Sequence, residues 1–380
     1  MKGNRQAFST IEYKARLQRV QAEMRRRDIP VLLLHSPENI YYLSGYQTSG
    51  YFAYQVLIVT EAEEPTLLVR FLERGNVDEY AWLSHDETWR EGDDVIVRTV
   101  EAIRGVADDC RSIGIERSCW FLTVEVAEGL AHLLPNVRFV DASQLVDRIR
   151  LIKSEAEVRY IRQAADITER QIRVALDAAH HGATEAELAA ATLHAGILAG
   201  GEYTGLPCHF MSGYRYNVCH GAWTPKVISR GELVLIEIYS SVERYHATQI
   251  RTICVGAPAQ KHLETARLVI EAQDMALAAM RPGASSRDID AMVRHALRKI
   301  RGEYYNRSGY STGIGFPPRT AEWQTLDFNE QTDWELQEGM VFHMLALAEG
   351  FGVSETVVVT TRGIERLTHS NPRALLATDA

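Results

Sequence analysis

"HGATEAELAAATLHA", residues 181–195, returns as "PGASSRDIDAMVRHA" in residues 282–296. Each copy reads as a helix end, a glycine turn and a new capped helix. Thr184 is placed to cap onto Glu187 and Ser285 onto Asp288, while Leu188 and Ile289 fall in equivalent apolar slots. A period this long, present twice, is not that of a solenoid. It predicts two pseudo-symmetric halves of α+β structure whose sheets pack together, a natural place for a pocket.

Upstream the pattern changes. "VDRIRLIKSEAEVRYIRQAADITERQIRVAL", residues 146–176, offers Ser154 and Glu157 as a capping box before a long helix, which puts a domain boundary at 148/149. Before it, "FSTIEYKARLQRVQAEMRRRDI" opens with Ser9 and Glu12 as a second capping box. The runs "VLLLHS", "YQVLIVT", "PTLLVRF", "RSIGIE" and "VRFVDA" then read as strands between helices. The expected organisation is an α/β domain over residues 1–148 and an α+β domain with an internal pseudo-repeat over 149–380.

Composition excludes several classes. The 380 residues are 46% hydrophobic and carry a formal charge of -9, with no dense Lys/Arg cluster, so no nucleic-acid partner is expected. Five scattered cysteines lack zinc-site or disulfide spacing, which points to a reducing cytoplasm. No apolar run reaches the roughly 18 residues of a membrane span, and the first residues lack a signal-peptide core.

Within the second domain, "LIEIYSSVERYHATQIRT", residues 235–252, reads as two strands around a tight turn, with one acid, Glu237, in an apolar run. A buried carboxylate is costly unless something compensates it. Arg251 on the adjacent strand is one candidate, and a cationic substrate is the other.

The segments "RLIKSEAEVRYIRQAA", "CHGAW", "RGELVLIEIYSSVERYHATQIRTICVG", "GYSTGIGF", "LQEGMVFHM" and "SETVVVTTRGIERLT", in this order, resemble the creatinase, prolidase and aminopeptidase P family. The resemblance implies a creatinase-like N-terminal α/β domain and a pita-bread catalytic domain. In the metallopeptidase members, two Asp, one His and two Glu hold two metal ions. The matching positions here are Glu237, Thr248, Thr312, Leu345 and Ser354. One carboxylate cannot compensate two divalent ions, so no catalytic metal and no other cofactor is expected.

Residues two apart on a strand share a face, which adds Tyr239 beside Glu237, His246 beside Thr248 and His343 beside Leu345 as pocket candidates. His220 of "CHGAW" matches the family histidine that stands over the scissile bond. The expected catalytic residues are therefore His220, Glu237 and His343. Tyr239, His246, Thr312, Glu355, Arg70 and Tyr51 are the expected substrate-binding residues. Glu355 follows Ser354 directly, so alternation points it away from the pocket unless a bulge turns it inward.

Among metal-free members the likeness is greatest to ectoine hydrolases, in "IEI", "ERYH", "SGYSTGIGFPP", "MVFHM" and "SET". It implies a cytoplasmic, metal-independent C–N hydrolase that acts on a small zwitterionic amidine. The family also implies a homodimer in which the N-terminal domain of one protomer closes the partner's site. "SGYQTSGYFAYQ", residues 44–55, would be the lid: Tyr46, Tyr51 and Tyr54 would surround a cation, and nearby Arg70 would pair a carboxylate. Plain packing is the other reading of those tyrosines. The rival functions are a creatinase-like amidinohydrolase, a metal-dependent Xaa-Pro dipeptidase and a catalytically silent binding domain.

Overall fold

The computed structural model describes residues 5–218, 220–319, 322 and 326–378. The chain divides into two compact units, one up to Arg150 and one from Leu151, two residues beyond the expected boundary.

The first unit orders its elements as α1 (Thr10–Arg26), β1 (Val31–Leu34), α2 (Pro37–Ser44), β2 (Val56–Thr60), β3 (Thr66–Arg70), α3 (Arg74–Tyr80), β4 (Asp86–Trp89), α4 (Val95–Ala107), β5 (Ser112–Ile115), α5 (Val124–Leu133), β6 (Arg138–Asp141) and α6 (Leu145–Arg150). Its six strands form one mixed sheet in the order β4-β3-β2-β1-β5-β6. All five apolar runs singled out above are strands. The sixth, β4, is "DETW", too polar to show as one. Val31, Leu33, Val56, Ile58, Leu68 and Ile113 bury one face of the sheet under α4 and α5. Ser9 caps α1 by accepting the Glu12 amide at 3.3 Å. The Glu12 carboxylate instead holds the buried Arg16 guanidinium at 3.1 Å.

The second unit runs α7 (Glu155–Ala178), α8 (Glu185–Leu198), β7 (His209–Ser212), β8 (Leu233–Val242), β9 (Tyr245–Val255), α9 (Gln260–Ala279), α10 (Ser286–Arg301), β10 (Gly309–Ser311), β11 (Asp327–Phe328), β12 (Val341–Ala348), β13 (Phe351–Thr360), β14 (Gly363–Arg366) and β15 (Leu376–Thr378). The repeat is structural. The helix pair α7/α8 precedes the sheet β15-β9-β8-β7, and α9/α10 precedes the sheet β11-β10-β12-β13-β14. Gly182 and Gly283, at φ 89° and 81°, make the equivalent turns, where a side chain would be strained. Ser154 and Thr184 form complete capping boxes, and Ser285 accepts the Asp288 amide at 3.2 Å.

The two sheets meet where β9 lies beside β13. Hydroxyls join them: Thr356 Oγ1 accepts the Thr248 amide and donates to the Thr248 carbonyl, both at 2.9 Å, and Ser354 Oγ accepts the Ile250 amide at 2.7 Å. Among the described residues, no helix is long and apolar enough to cross a membrane.

Candidate active site

Where the two hairpins face each other, the second unit lines a cavity of about 770 Å³ that opens to solvent. Leu235, Glu237 and Tyr239 present alternate side chains of β8 to it. Ile250 sits opposite Glu237 on β9, and Leu345 and Leu347 come from β12. His220, Asn217 and Arg307 supply further polar groups to the lining.

Arg251 does not neutralise Glu237. It lies on the other face of β9 and pairs with Glu355, Nη2 to Oε1 at 2.7 Å, while donating to the carbonyls of Ser354 and Asn371. Glu237 instead meets the Tyr239 hydroxyl. Burial pushes the Glu237 carboxyl up to about 7, against the opposing pull of the Tyr239 hydrogen bond and of the Arg307 charge. A carboxyl group poised there exchanges protons near neutral pH and gains most from a bound cation. Burial, followed by the Glu237 charge, drives the Tyr239 phenol well above its usual range, so Tyr239 is a neutral hydrogen-bond donor.

His220 lines the cavity from a left-handed backbone position, φ 55°, uncommon for a residue with a side chain. Behind it stands His209, which sequence reasoning missed. His209 is the cross-strand neighbour of Glu237 in the β7/β8 ladder. Its ring lies 5.8 Å from that of His220 and edge-on to Tyr239 at 5.6 Å. Burial and the neighbouring His220 pull its imidazole down to about 4, so it is neutral. Arg307 was also missed; its guanidinium lies 4.3 Å above the Tyr310 ring. Neither residue carried a signal, because β7 is only four residues long and Arg307 precedes β10 in an irregular segment.

The other expected site residues stand elsewhere. His246 is a correction: its ring is fully used by the backbone, Nδ1 on the Arg244 carbonyl at 2.9 Å and Nε2 accepting the Gly205 amide at 3.2 Å. Thr312 is buried, with its hydroxyl toward the His246 carbonyl, and does not reach the cavity. No bulge turns Glu355 inward; it also accepts from Gln249 and Thr368. His343 lies on the same side as Leu345 but deeper, against Tyr310, with Nε2 2.6 Å from Ser354 Oγ. Burial pulls its pKa down to about 3, which leaves a neutral imidazole behind the cavity wall rather than on it. Arg70 and Tyr51 belong to the first unit, where Arg70 pairs with Glu91 and Tyr51 packs edge-on against Phe121 at 5.8 Å.

A dinuclear metal centre does not fit the five positions. Glu237 is the one acid, Leu345 offers no donor atom, the Ser354 hydroxyl is engaged by Ile250 and His343, and Thr248 and Thr312 are neutral and buried. Among the described residues, no three His, Cys, Asp or Glu side chains cluster as a metal ion would require.

Comparison with known proteins gives two family matches, metallopeptidase family M24 over residues 159–361 and the creatinase/prolidase N-terminal domain over residues 16–152. An uncharacterized hydrolase/peptidase of Sinorhizobium fredii is 32% identical, over 98% of this chain and 99% of that protein. An Xaa-Pro dipeptidase of Pyrococcus horikoshii is 28% identical, over 91% and 94%. An ectoine hydrolase of Halomonas elongata is 26% identical, over 95% and 96%. The crystal structure of the prolidase from Pyrococcus horikoshii superposes with a TM-score of 0.83 at 25% identity, over 95% of this chain and all of that one.

Proposed function

The chain belongs to metallopeptidase family M24, with a creatinase/prolidase N-terminal domain and a pita-bread hydrolase domain, and we propose that it is a metal-independent member that hydrolyses a C–N bond of a small zwitterionic amidine. The observation that carries this reading is Glu237: the one carboxylate among the five positions where metallopeptidases need a set of acids, raised to about 7 and facing a cavity.

An amidinium offers two parallel N–H donors to the two oxygens of such a carboxylate. Water adds at the amidine carbon, the C–N bond breaks, and the products are an amide and an amine. His220 hands the leaving nitrogen its proton. Tyr239 holds the Glu237 carboxylate, and Arg307 pairs the substrate carboxylate, the part that sequence alone had given to Arg70. The same reading includes a homodimer, with Tyr51 and Arg70 of one protomer closing the partner's cavity; sedimentation of the purified protein tests it.

Incubating chelator-treated protein with ectoine, hydroxyectoine, creatine and an Xaa-Pro dipeptide, with products followed by mass spectrometry, tests the reaction. Ring opening without added metal is the expected result. The dipeptidase reading is favoured by the Pyrococcus horikoshii relative, and peptide cleavage restored only by manganese would replace our reading with it.

A further inference from the structure

The cavity has room beyond a bare amidine ring, and part of its wall is apolar. At the roughly 30 Å³ that water occupies per molecule, a ring of about ten heavy atoms fills about 300 Å³. That is less than half of the 770 Å³ available.

The surplus volume has a definite chemistry. Met211, Leu235, Ile250, Tyr310 and Leu345 form a hydrophobic cluster of their own, with Leu347 packed against it, and all six line the cavity. The strand register explains why they converge. Met211 is the partner of Leu235, Ile250 that of Glu237, and Gly352 that of Leu347. A Cβ at Gly352 would collide with Leu347 at 2.9 Å and press on Ile250 and Leu235 at 3.1 and 3.2 Å, so these three meet at one point. Along β8 the wall therefore runs from apolar at Leu235, through the acid, to the phenol of Tyr239.

Resting on the amidine reading above, we propose that the substrate is an amphipathic zwitterion: an amidine whose carbon skeleton carries an alkyl or aryl group of several carbons, laid on the wall formed by Leu235, Ile250, Leu345 and Leu347. Glu237 takes the amidinium and the leucines take the apolar body. A hydrophobic wall of this kind rewards added carbon, at about fourfold in affinity per buried methylene.

Surface plasmon resonance on the full-length protein tests this with two probe series: ectoine and ring homologues whose C2 methyl is extended to propyl and to phenyl, and simple amides from acetamide to hexanamide. The expected result is a dissociation constant that falls at least tenfold from ectoine to the propyl homologue, with a smaller gain per carbon in Leu347→Ala. Ectoine binding while its homologues bind no better would overturn the apolar subsite and leave the amidine reading standing. If no amidine binds but the amides gain affinity with each carbon, the amidine reading fails and the apolar subsite stands. If no member of either series binds, both fail.

Discussion

Arg251 and Glu355 face each other at 2.7 Å with both side chains sealed from water. This pairing uses up the one cation that lies beside Glu237 in the β8/β9 ladder, and it leaves the Glu237 carboxylate to a ligand. Structure and site chemistry are thus separated by strand alternation: the face with Arg251 holds the fold, and the face with Glu237 holds the cavity.

Breaking the inner pair should cost stability. Removing one member strands a buried charge, so Arg251→Met is expected to lower unfolding free energy by about 3–5 kcal/mol. The double variant Arg251→Met with Glu355→Leu should recover part of it, as read by urea denaturation. A single variant as stable as the parent would contradict a buried, charged pair.

Glu237→Gln should do the opposite to stability while abolishing turnover. The folded carboxyl is raised to about 7 from an ordinary 4.5, so the native state holds its proton over a range where the unfolded chain has lost it. Stability is therefore lost as pH rises from 4.5 through 7. At 1.36 kcal/mol per pKa unit the loss is at most about 3.4 kcal/mol. The glutamine variant should lack that slope in thermal scans between pH 4 and 8, with kcat reduced at least about 100-fold.

The same carboxyl sets a pH limb for activity. If its ionised form binds the substrate, kcat/KM climbs with pH around 7. Arg307 helps to hold the Glu237 pKa down, so Arg307→Met should displace the limb to higher pH. A limb that stays in place would remove Glu237 as its origin.

His246→Ala should reduce stability and spare catalysis. It strands the Gly205 amide, at about 1–3 kcal/mol for a group left unpaired in the interior, while the Arg244 carbonyl keeps the Gly315 amide at 3.0 Å. The folded fraction should retain the parental kcat/KM; a selective fall in kcat would return His246 to the site.

Local rules carried much of the fold. The caps at Thr184 and Ser285 and the apolar strands depend on neighbours a few residues away, so their signals are written in short windows. Glu237 and His220 could be read as cavity residues from the family motifs they match, and Tyr239 from strand alternation beside Glu237. His343, His246 and Thr312 could not be placed, because alternation gives the side of a sheet a residue occupies and not its depth. Tyr310 covers His343, and main-chain groups claim both nitrogens of His246. His209 was invisible because its nearness to His220 depends on how a four-residue strand registers against β8.

The seam between the hairpins bears on how this chain could change over evolutionary time. Ser354 ties the Ile250 amide and meets the His343 ring. An acid placed there would have to fit its larger side chain between these two groups, and Leu345 opposite would still offer no ligand. Equipping this junction to hold two metal ions would take replacements at several positions together, since no single one completes a ligand set, so the seam works as a ratchet against stepwise change.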